Sequence, residues 1–295
     1  MREIKPLFLI ALLRYLYPDQ ITAQYIKHYF LLSFVFDARN KVPVKPYPAC
    51  PDQGITFYVR GDLFSEIPGI KVSEKRARSV IMGQNTCRHN LYPPNDYIMF
   101  HVRFQPGAFY QLFKIPMTEF IDQNIDAELV LGNVIKELNE QMANTKNPED
   151  FQFIFERFLW KKIGQAKDFI HPVDKIGGLI LNCPQNFRFE TYANLACLSI
   201  SQFERTFTRQ IGISPKFYAR ICRFYQAYGL KQQCPHLSWL TIAIQTGYSD
   251  YQHLVKDFKQ FSGNTPNSLI TESEHAPERV LGYTDFSATG LFHRI

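Results

Sequence analysis

The chain has 295 residues, enough for about two domains at roughly 150 residues each and for a substantial core. Hydrophobic residues make up 45% and charged residues 20%, a globular balance that excludes a disordered or low-complexity chain. The formal charge of +6 is modest, and the six cysteines (50, 87, 183, 197, 222, 234) form no Cys-x-x-Cys and no paired spacing. That excludes a disulfide scaffold and fits reduced thiols in a cytoplasmic protein, with Cys197 and Cys222 on apolar positions of expected helices.

The first apolar run, Leu7 to Leu13, follows Arg2 and Lys5. A bilayer span needs about 20 residues. Arg14, Tyr15 and Tyr17 stand close by, where a signal cleavage site would want small residues. The run is expected to open the first domain as a strand or helix. Residues 20–110 read as short strands: Ile21 to Phe36, Gly54 to Val59, Arg78 to Met82 and Tyr97 to Phe104, the last alternating from Ile98 onward. The breaks between them are rich in Pro and Gly, which predicts an antiparallel barrel or sandwich.

Residues 116–182 change to a helical period. Pro116 starts a short turn. Ala127 to Met142 predicts one helix with Leu129, Val130, Val134, Ile135 and Leu138 on a stripe, and Pro148 opens another carrying Phe151, Ile154, Phe155, Phe158 and Leu159. Pro172 to Leu181 leads to an expected hinge at Cys183-Pro184-Gln185-Asn186. The wide stripes of helices 127–142 and 148–162 are expected to serve dimerisation.

From Phe189 to Leu269 one pattern is written twice. Ser199, Phe203, Arg205, Phe207, Gly212 and Ser214-Pro215 recur 51 residues later as Asp250, Leu254, Lys256, Phe258, Gly263 and Thr265-Pro266. Ser199 and Asp250 are N-cap types. Apolar residues at +4 and +8 make one buried stripe, the glycines end each helix, and the prolines suit the first turn of the next. Each unit is preceded by a short helix with a small residue for close crossing, Thr191 to Leu198 with Ala193 and Trp239 to Thr246 with Ala243. Helix, tight turn and second helix make a helix-turn-helix, whose second helix enters the DNA major groove. The helix Pro215 to Lys231 links the units, with Phe217, Ile221, Phe224 and Tyr228 as its core stripe.

With the apolar stripe buried, positions +2, +3 and +6 point outward: Ser201, Gln202 and Arg205 in the first unit, Gln252, His253 and Lys256 in the second, with Tyr251 at +1. Arg pairs with guanine and Gln with adenine because their forks match the base edges. Arg209 and Lys259 lie later on the helices, where phosphate is in reach. Residues 184–270 carry nine Lys/Arg against four acids, whereas residues 271–295 carry two against four, so the repeat is the basic part of the chain.

The region resembles the AraC/XylS-type transcription regulators in Ala193, Ser199, Phe203, Arg205, Phe207, Gly212, Ser214-Pro215, Tyr218, Arg223, Ala227, Ile242-Ala243, Gly247-Tyr248, Asp250, Phe258-Lys259, Gly263 and Thr265-Pro266. It departs from them at Leu254 and Lys256, where the family has an aromatic and an arginine, and at Asn267 to Ile270, which lack the closing Tyr-Arg. The resemblance covers roughly the last third of the chain. It implies an α+β protein: an N-terminal cupin-like antiparallel β-barrel with helices for sensing and dimerisation (1–183), an all-α domain of two helix-turn-helix units joined by a linker helix (184–272) and a polar tail (273–295). Pro51-Asp52 and Phe104-x-Pro106-Gly107-Ala108-Phe109 resemble one N-terminal type, and Pro106-Gly107-Ala108 reads as a strand-ending turn. The implied partners are double-stranded DNA, RNA polymerase, a small-molecule effector of unknown identity and a second copy of the chain.

No enzyme signature, phosphate loop or His-Glu-x-x-His is present. A barrel could turn His28 and His101 inward, but no further ligands cluster with them, and Cys50 and Cys87 lack a zinc set. No metal and no cofactor are expected. The competing reading of another class is a helical protein-interaction module that does not bind DNA.

Overall fold

The computed structural model describes residues 8–37, 39–165 and 172–283. Residues 1–7, His171 and residues 284–295 of the expected tail lie outside them. The N-terminal part holds ten strands among the described residues: β1 (Phe8–Leu16), β2 (Ile26–Phe36), β3 (Lys45–Tyr47), β4 (Gly54–Arg60), β5 (Phe64–Ile67), β6 (Lys71–Lys75), β7 (Ser79–Met82), β8 (His89–Tyr92), β9 (Asp96–Phe104) and, after a helical segment, β10 (Asn124–Asp126). One antiparallel sheet runs β1-β2-β9-β4-β7-β10 and a second runs β3-β8-β5-β6. No ladder among the described residues closes the two into the expected barrel. Pro46 lies inside β3 and cannot donate to a ladder, which keeps that strand short and at an edge.

Period-2 alternation gives the large sheet two apolar faces. Tyr29, Leu31, Ile55, Phe57, Phe100 and Val102 meet the helices, while Leu32, Phe34, Tyr58, Met82 and Tyr97 face the small sheet. The helical layer is α1 (Ala108–Phe113), a 3-10 turn at Met117–Phe120, α2 (Ala127–Leu131), α3 (Asn133–Asn144) and α4 (Phe151–Gln165). The single helix expected over 127–142 is broken at Gly132, whose φ of 76° and ψ of −155° lie outside helical space. Leu129 therefore leaves the stripe and is 84% exposed. Of the other stripe residues, Ile135, Leu138, Phe151, Phe155 and Leu159 are buried in the core beneath the chain's own sheet, together with Met142, while Val130, Val134, Ile154 and Phe158 are half-buried against that core.

The C-terminal part is all helix: α5 (Pro172–Asn182), α6 (Phe189–Leu195), α7 (Ile200–Ile211), α8 (Pro215–Gln233), α9 (Trp239–Gln245), α10 (Tyr251–Ser262), α11 (Pro266–Glu274) and α12 (Pro277–Val280). Phe203, Phe207, Tyr218, Ile221, Phe224, Leu254, Phe258 and Phe261 make its core. Val173, Ile176 and Ile180 of α5 join that core, which draws α5 away from the N-terminal helices it follows in sequence. The expected hinge is a 3-10 turn, Pro184–Asn186, packed on α8. Residues 273–283 are folded too: Leu281 is buried and the Tyr283 hydroxyl donates to Ala11 O at 2.9 Å. No helix among the described residues is long and apolar enough to cross a membrane.

Candidate nucleic-acid interface

The first unit is α6, a tight turn and α7. Ala193 is buried where the helices cross, and Leu198 N–H returns to Ala193 O at 3.1 Å. Ser199 opens α7 with a capping box. Its Oγ accepts the Gln202 N–H at 3.3 Å, and Gln202 Oε1 accepts the Ser199 N–H at 3.2 Å. Phe203 and Phe207 at +4 and +8 are fully buried, which turns Ser201, Gln202 and Arg205 outward. The side-chain carbonyl of Gln202 is thus engaged in the cap and its amide group is the part left for a ligand. Arg205 is exposed and makes no ion pair or hydrogen bond among the described residues.

The second unit, α9, turn and α10, repeats the grammar with one more residue in its turn. Tyr248 N–H returns to Ala243 O at 2.8 Å, and Asp250 Oδ1 accepts the His253 N–H at 2.8 Å. His253 Nδ1 also meets Asp250 Oδ2 and Ser249 Oγ at 2.8 and 2.7 Å, leaving Nε2 outward. Gln252, His253, Lys256 and Lys259 are exposed, whereas Tyr251 is half-buried on the C-terminal core. Gly247 holds the turn with a φ of 79°, and a Cβ there would lie 2.4 Å from Gln185 Cβ. The matching turn position of the first unit is Cys197, left-handed at φ 54° and exposed, not buried in a helix as its apolar spacing suggested. Cys222 is buried as expected.

Sequence reasoning missed the residues that tie α10 to α8. Arg220 donates to Asp257 at 2.6 Å and to Gln260 at 2.7 Å, the Tyr248 hydroxyl donates to the other Asp257 oxygen at 3.2 Å, and Arg223 donates to Gly247 O at 3.0 Å. Asp257 is buried, so this network is fully desolvated on one side and resists rotation of α10 against the linker. Basic residues that spacing alone assigns to a charged surface are here structural.

The N-terminal part holds the far end of α7. Gln53 Nε2 donates to Ile211 O at 2.9 Å and to Gln210 O at 3.3 Å, while its Oε1 accepts the Gly107 N–H at 3.1 Å. One side chain therefore caps the last turn of α7 and fixes the Pro106-Gly107 turn, which ends β9 as expected. Arg209 is exposed but stacks on the Tyr110 ring, 5.3 Å from its centroid, in an open cleft with Lys114 and Arg205. Arg88 forms a two-bond pair with Glu272 of α11 at 2.8 and 3.2 Å.

Between the two sheets lies a cavity of about 120 Å³, lined by rings and aliphatic chains such as Phe30, Phe34, Tyr58, Leu63 and Tyr97. His28 and His101 face it, as a barrel interior would have had them do. Burial pushes His101 down to about 4, opposed by Asp52 and helped by Arg103. Burial, with Arg103 beside it, holds His28 at about 2. Both rings are neutral at physiological pH, and His101 Nδ1 lies 2.8 Å from Thr56 Oγ1. Arg103 is buried against Asp52 and over the Tyr225 ring of α8, and Lys45 pairs with Glu278 of α12, which closes one wall of the cavity. A second cluster, Cys87, His89 and Asp122, brings three donor groups together. Cys87-x-His89 was visible in sequence, but Asp122 arrives from a distant turn.

Residues 192–271 match the family described as "Helix-turn-helix domain". This part of the chain is a helix-turn-helix domain. Residues 14–126 match a family described as "Domain of unknown function (DUF6597)". An "Uncharacterized HTH-type transcriptional regulator" of Haemophilus influenzae is 37% identical over 90 residues, a segment that spans 30% of each of the two chains. Among solved structures, apo ToxT from Vibrio cholerae aligns at 17% identity and a TM-score of 0.45, over 82% of this chain and 97% of its own. The AraC-like transcriptional activator CuxR aligns at 14% identity and a TM-score of 0.26, over 74% and 88%.

Proposed function

We propose that the chain is a sequence-specific, DNA-binding transcriptional regulator that places α7 and α10 in successive major grooves, about 34 Å apart along the duplex. The observation that carries this reading is the pair of N-capped helices, each buried at +4 and +8 and each presenting a cation at +6, Arg205 and Lys256. Ser201, Gln202 and Arg205 on α7, and Tyr251, Gln252, His253 and Lys256 on α10, are the base-contacting set. Arg209 and Lys259 contact phosphate. The match of residues 192–271 to a helix-turn-helix domain family supports the same reading. The cavity between the sheets is the effector site, and its C-terminal wall at Glu278 gives an occupant a route to the DNA-binding helices. Such a regulator acts in the cytoplasm, carries out no chemistry of its own, and contacts RNA polymerase when it activates. A second copy docks through the apolar groups left outside, Leu129, Phe153 and Trp160, which sedimentation of the full chain would register.

The test is recovery of genomic fragments by the full chain, followed by footprinting. A footprint spanning two adjacent major grooves on one face is expected. A helical protein-interaction module would recover no fragment above background.

A further inference from the structure

We propose that Cys87, His89 and Asp122 form a binding site for a divalent transition-metal ion of the zinc class. Their ligand atoms lie within 4.8 Å of one another. The mixture of thiolate, imidazole and carboxylate selects zinc-like ions and disfavours magnesium and calcium, which take oxygen. One thiolate and one carboxylate would neutralise a doubly charged ion.

Two further observations support a ligand role. His89 is 2% exposed, and its Nε2 has no hydrogen-bond partner among the described residues. It stops 3.8 Å from Asp122 Oδ1, too far for a hydrogen bond but within the span of two ligands that each sit about 2 Å from a shared ion. A buried ring nitrogen without a partner calls for an explanation, and an ion supplies one. Asp122 is also preset. Its backbone is left-handed at φ 51°, its N–H donates to Gln84 O at 3.1 Å, and its carboxylate accepts the Thr86 N–H at 2.7 Å and the Thr86 hydroxyl. Outer hydrogen bonds of this kind orient metal-binding carboxylates. Cys87 is half-buried, so the fourth position opens toward water.

The site sits at the junction of the two parts. Arg88, between the two ligands, pairs with Glu272 of α11, and Ile121, next to the third, packs on the C-terminal core. An ion here would pin the segments that carry both contacts.

The test is equilibrium dialysis of the chelator-treated full chain against Zn(II), with Co(II) as a spectroscopic substitute. One zinc per chain is expected, together with a thiolate-to-cobalt charge-transfer band. Cys87→Ser should abolish the band, and both Cys87→Ser and His89→Gln should weaken zinc binding by more than roughly 100-fold, beyond the range for outer-shell partners. Thr86→Val keeps all three ligands and should weaken binding by about 10-fold. Cys197→Ser should change nothing. Absence of zinc binding, or a Cys87→Ser chain that keeps both the band and the affinity, overturns the proposal. If Cys87→Ser does not fold, wild-type affinity in both His89→Gln and Thr86→Val overturns it equally.

Discussion

Arg205 and Arg209 stand one turn apart on α7 and meet different surroundings. Arg205 is free among the described residues, beside Ser201 and Gln202, whereas Arg209 leans on Tyr110 near the C-terminal end of the helix. Arg205→Ala should therefore cost about 1–3 kcal/mol at one base position and relax preference there. Arg209→Ala should weaken all sequences alike and lower the salt slope by about one unit. Titrating both variants against a selected fragment and its single-base changes separates them, and full discrimination by Arg205→Ala would misplace the helix. Cys197 offers a second residue-scale test. It holds a left-handed turn that Gly247 holds in the other unit, so Cys197→Gly should stabilise the chain by about 0.5–1 kcal/mol, read by denaturant unfolding. Spacing revealed the outward positions, but not that Gln202 and His253 also serve their own helix caps, because capping depends on rotamers that spacing does not specify.

At the scale of elements, the long periodic ones were legible. Ser199 and Asp250 mark helix starts, and α7, α8 and α10 fall within two residues of their expected bounds. The short strands β3, β5, β6, β8 and β10 were not legible, since they lack the continuous apolar run that marked the equally short β7 and their pairing is set by distant partners. The break at Gly132 and the capture of α5 by the C-terminal core are likewise tertiary effects. Gln53, inside a Pro-rich stretch, gave no local signal that it caps α7. Removing it leaves two carbonyls at the end of that helix without their donor. Gln53→Leu should destabilise the chain by about 1–3 kcal/mol and loosen α7. Hydrogen exchange should show faster amides in α7 and at Gly107, while unchanged protection would deny Gln53 that role.

For the whole molecule, the cavity ties stability to pH. An unfolded histidine protonates near 6.5, but folded His101 resists until about 4. Between those values the unfolded chain binds more protons, so stability should fall as pH drops through that window. His101→Gln should flatten the fall in thermal unfolding, and an identical slope would show that His101 does not carry it. The layering of helices, large sheet, small sheet and C-terminal helices means that Gln53, Arg88, Arg103 and Lys45 reach from the strand domain to α7, α11, α8 and α12 in turn. A ligand between the sheets would act through those contacts. The most direct test is titration of the full chain against a selected genomic fragment as salt rises. The four cations on α7 and α10, Arg205, Arg209, Lys256 and Lys259, predict a loss of up to about 10²-fold in affinity between roughly 50 and 200 mM salt if each meets a phosphate. The loss should shrink in the Arg209→Ala, Lys259→Ala double variant. Affinity independent of salt, or equal in that variant at every salt concentration, would contradict DNA binding through α7 and α10.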